Sequence, residues 1–395
     1  MVVLMAQGLQ HLRKFVAPEI VFGEHALELA GRYASNFGGS RVLVVTDEGV
    51  LRAGWAQKVM RVLERRSIPY AVFSELTINP KASEVMRGAD FYLRQGCDII
   101  IAVGGGSAMD CAKGIGIVSA NNAHILEFEG VDSVPIPGPP LICIPTTAGS
   151  AADVSQFAII SDEARKVKVA IISKALVPDV SLIDPLTTIS MTPEVTIACG
   201  FDALTHGIES YVSDAHSPLT DIHALNAVST IRDALPRVVQ NPESIEARKL
   251  MSLASTHAGL AFSNASLGLV HAMAHAVGGL TDAIHGECNA VLLPVVVGFN
   301  FSETANRYET VCREIGLDTG DLSRQQLKQQ LVDAIAAFKK RTGFIKCLGD
   351  LGVTRDMIPI LAINASHDLC LATNPRTASP IEIQELYETA LECTR

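Results

Sequence analysis

Two pairs of side chains that are far apart in the sequence could hold a metal ion between them. His271 and His275 lie four residues apart in a helix-like run, so both rings project from one helix face. Asp202 and His206 repeat that spacing, and His285 follows His271 by fourteen residues, after a Gly-Gly break, in what we predict to be a loop. Two helices and one loop would then bring a carboxylate and three imidazoles around one cation. Three nitrogens and one oxygen suit Fe²⁺ or Zn²⁺ and are a poor set for Mg²⁺ or Ca²⁺.

A simpler explanation is that these histidines are ordinary core residues. A single histidine among Ala, Val and Leu is more often a buried, hydrogen-bonded residue than a metal ligand. Three histidines within fifteen residues of apolar sequence are harder to explain in that way, because each buried imidazole would need its own partner. The spacing favours a metal site and leaves the other explanation open.

A glycine-rich turn follows a predicted strand that is apolar throughout. Gly104, Gly105 and Gly106 would let the backbone approach a ligand closely and would permit positive φ. A helix beginning near Ser107 would direct unpaired N–H groups at a pyrophosphate, and Ser107 and Asp110 resemble a capping box that would hold the helix start. Gly-Lys-Ser/Thr and Gly-x-Gly-x-x-Gly are both absent, which excludes a Walker loop and the ordinary Rossmann fingerprint. We predict a nucleotide site here, with a purely structural turn as the alternative.

Polar side chains follow two other predicted strands. Asp47 stands at the carboxyl end of the strand 41–46, near where open α/β sheets bind ligands. A carboxylate there would bond to a ribose hydroxyl and repel a 2′-phosphate, which favours NAD over NADP. Thr146 and Thr147 follow the strand 141–144, where hydroxyls could reach phosphate or ribose. Asp and Thr are also common turn residues, so these positions alone carry little weight.

The predicted elements divide the chain into two unlike halves. Strands at 41–46, 70–73, 98–103 and 141–144 alternate with helices, which is typical of an open α/β sheet, and further strands are predicted at 157–160, 168–172 and 181–183. From Thr192 onward nearly every segment has helical periodicity: 193–213, 218–238, 243–262, 266–278, 303–315, 324–341, 355–366 and 380–392. We predict an α/β dinucleotide-binding domain over residues 1–190 and an all-helical metal-binding and catalytic domain over residues 191–395.

Composition narrows the class of protein and of partner. The length of 395 residues is enough for two domains, and a net charge of −10 without a basic stripe argues against a nucleic-acid partner. Nine dispersed cysteines without Cys-x-x-Cys favour free thiols in a reducing cytoplasm. Residues 1–8 lack the positive charge of a secretory signal, and no apolar run approaches the ~18 residues of a spanning helix. We therefore expect a cytoplasmic protein without a membrane partner.

A nucleotide site in one half and a metal site in the other imply a cleft between them. If the nucleotide is a nicotinamide, the metal would act as a Lewis acid on the oxygen of an alcohol or aldehyde while hydride passes between the substrate carbon and the nicotinamide. His275, one turn after His271, would relay the proton that the alcohol loses.

Through these residues the chain resembles the iron-containing (group III) alcohol dehydrogenase family along nearly its whole length. The motifs that carry the resemblance are Val-Thr-Asp47, Asn79-Pro80, Gly-Gly-Gly-Ser107-x-x-Asp110-x-x-Lys113, Pro145-Thr-Thr-Ala-Gly149, Asp202-Ala-Leu-Thr-His206, residues 268–285 and Asn374-Pro375-Arg376. The resemblance implies a dinucleotide-binding α/β domain followed by an all-α domain. It also implies NAD-dependent, reversible oxidation of small primary alcohols or diols to aldehydes, and a homodimer or larger homo-oligomer.

The resemblance further implies roles for individual residues. One divalent metal, usually Fe²⁺ and sometimes Zn²⁺, would be bound by Asp202, His206, His271 and His285, and His275 would lie near the nicotinamide and the substrate. The implied cofactor-binding residues are Asp47, Asn79, Gly105, Gly106, Ser107, Asp110, Thr146, Thr147, Ser150, Lys168 and Thr188. Ser150 and Asp153 depart from the Thr and Glu that are frequent in the family. Phe157 stands where some relatives have a polar residue, and an apolar wall there would favour less polar alcohols.

Two other functions are compatible with the same scaffold. Dehydroquinate-synthase-like lyases also use NAD and a metal, but their ligand pattern differs and this sequence has no basic cluster for a phosphorylated acid. A non-catalytic relative, kept as a sensor or interaction partner, would be free to lose its buried polar ligands, whereas this ligand set is complete.

Overall fold

Six parallel strands form the main sheet of the N-terminal half, in the order β1-β9-β6-β4-β2-β3. A computed structural model describes residues 13–392, so the expectation about residues 1–8 lies outside the described chain. The six strands are β1 (Glu19–Phe22), β2 (Val42–Val45), β3 (Tyr70–Phe73), β4 (Ile99–Gly104), β6 (Leu141–Pro145) and β9 (Val180–Ile183). Every residue of β4 is buried, because alternate side chains enter separate apolar clusters on the two faces of the sheet.

A smaller sheet of three strands accompanies the main one. It contains β5 (Gly130–Val131), β7 (Phe157–Asp162) and β8 (Val167–Ile172), with β7 antiparallel and β5 parallel to β8. The helices of this half are α1 (Ala30–Asn36), α2 (Glu48–Ala53), α3 (Trp55–Glu64), α4 (Ala82–Gln95) and α5 (Gly106–Asn121). The strand order reverses between β2 and β4, so the crevice beyond their carboxyl ends is where such a sheet binds ligands.

The described chain after β9 contains helices and no strands. Its long helices are α6 (Pro193–Val212), α7 (Pro218–Gln240), α8 (Ile245–Ala265), α9 (Leu269–Thr281), α10 (His285–Asn300), α11 (Ala305–Glu314), α12 (Arg324–Arg341), α13 (Ile358–Ser366) and α14 (Pro380–Leu391). Thr192 caps α6 by accepting a hydrogen bond from the Val195 amide, and Pro193 occupies the first helical position, where its missing N–H is not needed. One apolar cluster runs through these helices, which share a single core.

The structure differs from the sequence-based expectations at several elements, among them two strands that were not predicted, β1 and β5. β1 was not predicted, because it is a four-residue, partly exposed edge strand without clear alternation. Between the first two predicted strands, where the alternation predicts one helix, the chain forms two helices separated at Gly54, whose φ of 85° requires the left-handed region that glycine tolerates. His285 was expected in a loop, and it is instead the first residue of α10.

No single helix among residues 13–392 is long and apolar enough to cross a membrane, although α8 and α9 pass that test together with a 100° bend between them. Seven cysteines of the described chain have free thiols, as expected: Cys97, Cys111, Cys143, Cys199, Cys288, Cys312 and Cys370. Cys347 is disulfide-bonded, which the dispersed spacing did not predict.

Candidate active site and metal centre

A pocket of about 260 Å³ lies between the sheet half and the helical half. The glycine turn, Asn79 and Lys168 line it from the sheet half, and Asp202 and His271 are among the residues that line it from the helical half. The pocket therefore joins the predicted nucleotide site to the predicted metal site. Its lining is mainly apolar with a few converging polar groups, which is the usual character of a small-molecule site.

The glycine turn keeps the floor of this pocket open. A side chain on Gly106 would place its Cβ 2.9 Å from the Ser150 hydroxyl oxygen, and one on Gly105 would lie 3.2 Å from the Thr147 side chain. Gly105 has a φ of −85°, so the turn needs glycine for close approach and not for positive φ, as we had also allowed. The first amides of α5 follow directly, where a pyrophosphate would bind favourably.

The predicted capping box at the start of α5 is wrong. The helix begins at Gly106 without a side-chain cap. The Ser107 hydroxyl donates to the Ile78 carbonyl, and the Asp110 carboxylate accepts a hydrogen bond of 3.1 Å from the Ile159 amide. Burial raises the pKa of Asp110 to about 6. Both side chains thus tie α5 to neighbouring segments of the pocket wall.

The apolar wall of the pocket contains Phe157, which meets Phe262 edge-on with ring centroids 5.5 Å apart. The buried Lys113 amine holds the start of β7 by donating to the backbone carbonyls of Ser155 (2.9 Å) and Phe157 (2.7 Å). Burial lowers the pKa of Lys113. The backbone of Phe157 is therefore held in place by Lys113, and its ring gives this part of the pocket the apolar surface expected from the sequence.

Two polar side chains connect the halves at the rim of the pocket. The Lys168 amine donates to the Asn79 amide oxygen at 2.7 Å, and the Asn79 amide nitrogen donates to the Asp282 carboxylate at 2.6 Å. Burial lowers the pKa of Lys168. The chain thus places an amine with a depressed pKa in the pocket, on the side of the glycine turn.

Three histidines surround one carboxylate at the helical end of the pocket. The Asp202 Oδ1 atom lies 3.6 Å from His206 Nε2, 3.8 Å from His271 Nε2 and 3.6 Å from His285 Nε2. Four ligands around one ion, with bonds near 2.1 Å, would be separated by roughly 3.4 Å. Helix α6 supplies the i, i+4 pair, while α9 and α10 supply His271 and His285.

The four residues are not equally close to one another. Single ligand atoms of Asp202, His271 and His285 lie within 4.8 Å of each other, and His206 stands beside this group, where its ring stacks on Phe262 at 4.3 Å. Burial lowers the pKa of His206 to about 4, so this imidazole is neutral near pH 7, as a ligand must be. Burial opposes ionisation of Asp202, but its contacts with His206, His271 and His285 lower the pKa of this carboxyl overall. The donor set of three imidazoles and one carboxylate fits a divalent transition metal.

A buried carboxylate fixes the orientation of His271. Glu209 on α6 lies 2.5 Å from His271 Nδ1 and also accepts hydrogen bonds from the backbone amides of Gly268 (3.1 Å) and Val270 (2.6 Å). With its proton on Nδ1, His271 keeps the Nε2 lone pair directed at the cluster. Burial would lower the pKa of His271, but the charge of Glu209 raises it to about 9, so a metal that binds Nε2 must displace a proton from this ring.

His275 has a carboxylate of its own. Its Nδ1 atom lies 2.9 Å from Asp368 Oδ2, and its ring stacks on His285 with centroids 5.2 Å apart. Burial opposes ionisation of Asp368, yet the charge of His275 lowers the pKa of that carboxyl overall. The Nδ1 proton is held by Asp368, so the second ring nitrogen is the one that could exchange a proton at the pocket.

Comparison with known proteins agrees with this geometry. The model described as iron-containing alcohol dehydrogenase matches residues 17–185, and the model of the C-terminal part of the Fe-containing alcohol dehydrogenase family matches residues 196–391. The chain belongs to the iron-containing alcohol dehydrogenase family. The resemblance seen in the sequence is thereby confirmed.

Individual members of the iron-containing alcohol dehydrogenase family match over nearly the full length. The NAD-dependent methanol dehydrogenase of Bacillus methanolicus is 35% identical over 377 residues, which is 95% of this chain and 99% of the relative. The 1,3-propanediol dehydrogenase of Citrobacter freundii is 36% identical over 379 residues, covering 95% and 98%. A crystal structure of a 1,3-propanediol oxidoreductase superposes with a TM-score of 0.93 at 35% identity, covering 96% of this chain and all of the other. The predicted fold class of this iron-containing alcohol dehydrogenase is confirmed.

The predicted cofactor residues of this iron-containing alcohol dehydrogenase fall into two groups. Those that line the pocket are Asn79, Gly105, Gly106, Ser107, Asp110, Thr147, Ser150 and Lys168. Outside its lining, Asp47 accepts a hydrogen bond from the Val50 amide at the start of α2, the Thr146 amide donates to Gly104, and the Thr188 hydroxyl donates to Pro185. Asp47 still stands at the glycine turn, because a Cβ on Gly104 would lie 3.4 Å from its carboxylate.

Sequence reasoning about this iron-containing alcohol dehydrogenase missed three side chains around the site. Glu209 and Asp368 are 62 and 93 residues from the histidines they contact, and Asn289 is 87 residues from Asp202. Only Asn289 left a signal, since it follows His285 by four residues and so shares its helix face once that segment is known to be helical.

Proposed function

We propose that the protein catalyses the reversible, NAD-dependent oxidation of small primary alcohols or diols to aldehydes, with Fe²⁺ as its metal and Zn²⁺ as a possible substitute. The observation that carries this proposal is the convergence of Asp202 and three imidazoles at one end of a pocket whose other end is the glycine turn. The names of its relatives, a methanol dehydrogenase and a propanediol dehydrogenase, support the same substrate class.

The roles of the residues follow from where each side chain stands. A divalent metal held by Asp202, His206, His271 and His285 supplies a Lewis acid for the substrate oxygen. Phe157 and Phe262 provide an apolar surface for the carbon chain and help to exclude water. The substrate hydroxyl proton passes to the Nε2 atom of His275, whose orientation Asp368 fixes through the Nδ1 hydrogen bond.

The sheet half positions the coenzyme. The amides at the start of α5 and the glycine turn accommodate a pyrophosphate, because unpaired N–H groups and close backbone approach both favour that group. The Ser107 hydroxyl and the Lys168 amine line the same side of the pocket. The apolar wall and the histidines at the metal end are the pocket residues that would surround a nicotinamide.

Metal removal tests this proposal directly. Protein purified without oxygen is treated with a chelator, and NAD reduction with ethanol, 1-propanol and 1,3-propanediol is followed before and after readdition of Fe²⁺ or Zn²⁺. We expect chelation to abolish the reaction and Fe²⁺ to restore it. Full activity in the metal-depleted protein, shown by elemental analysis to contain none, would contradict the proposed mechanism.

Asp47 is proposed to select NAD over NADP, since its carboxylate stands beside the glycine turn at the reversal of strand order. Asp47→Gly should therefore raise kcat/KM for NADP relative to NAD. Asp47→Ser is the matched control for the helix cap, because serine keeps a capping oxygen while the charge is lost. If both variants keep the wild-type coenzyme ratio, Asp47 acts only as a cap.

The assembly and the compartment are also part of the proposal. We propose a homodimer or larger homo-oligomer that acts on a small alcohol or aldehyde in the cytoplasm, without nucleic acid or membrane as a partner. Seven of the eight cysteines of the described chain have free thiols, which supports a reducing compartment, whereas the disulfide of Cys347 does not.

A further inference from the structure

A buried amide touches three of the four proposed metal ligands. Asn289 on α10 is fully buried, and its Nδ2 atom lies 2.8 Å from Asp202 Oδ1, 3.2 Å from His271 Nε2 and 3.3 Å from His285 Nε2. The amide oxygen of Asn289 has no hydrogen-bond partner among the described residues. Burying an amide whose oxygen is unpaired costs free energy, so an asparagine at this position calls for a functional explanation.

The three contacts of the Asn289 amide nitrogen differ in whether they could persist when Asp202, His271 and His285 bind a cation. A neutral imidazole has one lone pair at Nε2, and a metal ligand uses that pair on the ion. A carboxylate oxygen has two lone pairs, so Asp202 Oδ1 can serve an ion and accept an N–H bond at the same time. The bond from Asn289 to Asp202 is therefore compatible with metal binding, whereas the two histidine contacts place the amide against the side of the cluster.

From this geometry we infer that Asn289 is a positioning residue of the metal centre. Its N–H holds the Asp202 carboxylate through Oδ1, and its amide closes the side bounded by Asp202, His271 and His285, the residues that would hold the ion. The side of this cluster that stays open is the side that faces the pocket. The inference rests on the metal site proposed above.

Helix α10 is built to deliver both groups together. His285 is its first residue and Asn289 lies one turn later, so both project from one face. A Cβ on the intervening Gly286 would lie 2.2 Å from the Ala198 carbonyl oxygen, so the start of α10 packs directly on the backbone of α6, which carries Asp202. The distance between Asn289 and Asp202 is thus set by helix packing.

Asn289→Leu tests the inference, because leucine keeps the branching of the side chain at Cγ and removes the N–H. Metal affinity is measured by chelator competition with Fe²⁺ and Co²⁺, and the visible spectrum of the Co²⁺ protein reports the coordination geometry. We expect affinity to fall about 10- to 100-fold, as is usual when a group that orients a ligand is lost. We also expect weaker visible Co²⁺ bands, since a freed Asp202 can bind through both oxygens and raise the coordination number.

Asn300→Leu is the matched control. Asn300 is buried on the same helix and bonds to Asn374 at 2.8 Å, away from Asp202, so the same substitution should reduce stability and leave the Co²⁺ spectrum unchanged. If Asn289→Leu does not fold, Asn289→Ala replaces it with the same expected loss of affinity.

The outcomes separate this inference from the proposed function. Wild-type affinity and an unchanged Co²⁺ spectrum in an Asn289 variant would overturn the role of Asn289 alone. Failure of the wild-type protein to bind either metal would overturn the proposed metal centre as well, and His271→Ala gives the reference for a site without binding.

Discussion

His271 and His275 lie on one face of α9, and each is held by a different buried carboxylate. Glu209 comes from α6, while Asp368 precedes the 3₁₀ helix Leu369–Thr373. Because both Nδ1 atoms are occupied, both rings offer Nε2 to the pocket, but only His271 Nε2 faces Asp202 at 3.8 Å. The pair therefore combines a proposed metal ligand with a proposed proton acceptor in adjacent turns.

Alanine substitution should separate these two roles. His271→Ala is expected to lose metal and activity together, because one of four ligands is removed. His275→Ala is expected to keep the metal and to lower kcat by about 10²-fold, the usual contribution of a positioned proton acceptor. Metal content by elemental analysis and steady-state kinetics check both variants, and loss of metal from His275→Ala would show that the ligands have been assigned wrongly.

Cys199 gives a prediction about pH, because its thiol lines the pocket and burial raises its pKa to about 12. The thiolate is the reactive form, and at pH 8 only roughly 1 in 10⁴ thiols would be ionised. Alkylation of Cys199 by iodoacetamide should be slow at pH 7 and rise about tenfold per pH unit to pH 9. Peptide mass spectrometry follows the reaction, with the denatured protein as the control for an unburied thiol. Rapid alkylation at pH 7 in the folded protein would contradict this.

Helix α9 begins without an ordinary side-chain cap, and Glu209 takes over that function from another helix. Its carboxylate accepts the amides of Gly268 and Val270 in addition to the His271 ring. The side chain thus joins the start of α9 to α6 and orients a proposed ligand at the same time.

Loss of Glu209 should therefore destabilise the fold as well as the metal site. Glu209→Ala removes three hydrogen bonds to a buried charge, and we expect the free energy of unfolding to fall by about 3 kcal/mol. Glu209→Gln keeps the shape of the side chain, but its amide N–H₂ group would face one of the N–H donors that now bond to the carboxylate. We therefore expect this variant to lose an intermediate amount of free energy of unfolding. Urea denaturation in the presence of chelator measures the fold without the metal, and equal stability of wild type and Glu209→Ala would contradict this role.

Elements with strong periodicity could be predicted from the sequence, while those fixed by packing could not. The strand β4 is predicted by its continuous apolar run, and the helix α6 is predicted by the helical spacing that follows Thr192-Pro193. The start of α10 was not predicted, because Gly286 and the internal Pro294 both have low helix propensity. Packing of this segment against α6 stabilises the helix in spite of these two residues. The i, i+4 spacing predicted that Asp202 and His206 share one face of a helix, as they do on α6. The contacts of Asn289, Glu209 and Asp368 join elements that are distant in the sequence, and spacing cannot predict such contacts.

The described surface retains several large apolar side chains that an assembly would bury. Ile345 is 77% exposed, Ile381 71% and Ile222 68%, and β1 forms an edge of the main sheet. We expect light scattering to give at least twice the 42.1 kDa mass of one chain, because such side chains are often covered at subunit contacts. A monomer mass at micromolar concentration would contradict the proposed oligomer.

The proposed ion ligands all come from helices that follow Thr192, whereas the glycine turn and Lys168 precede it. Coenzyme binding and metal binding can therefore evolve separately. A substitution near β2 can change the coenzyme preference without changing the metal ligands. Chimeras of two relatives joined at the 3₁₀ helix Pro185–Ser190 would exchange one task and retain the other. Their main constraint would be the contacts that join the two halves, among them the bond from Asn79 to Asp282 and the packing of Phe157 on Phe262.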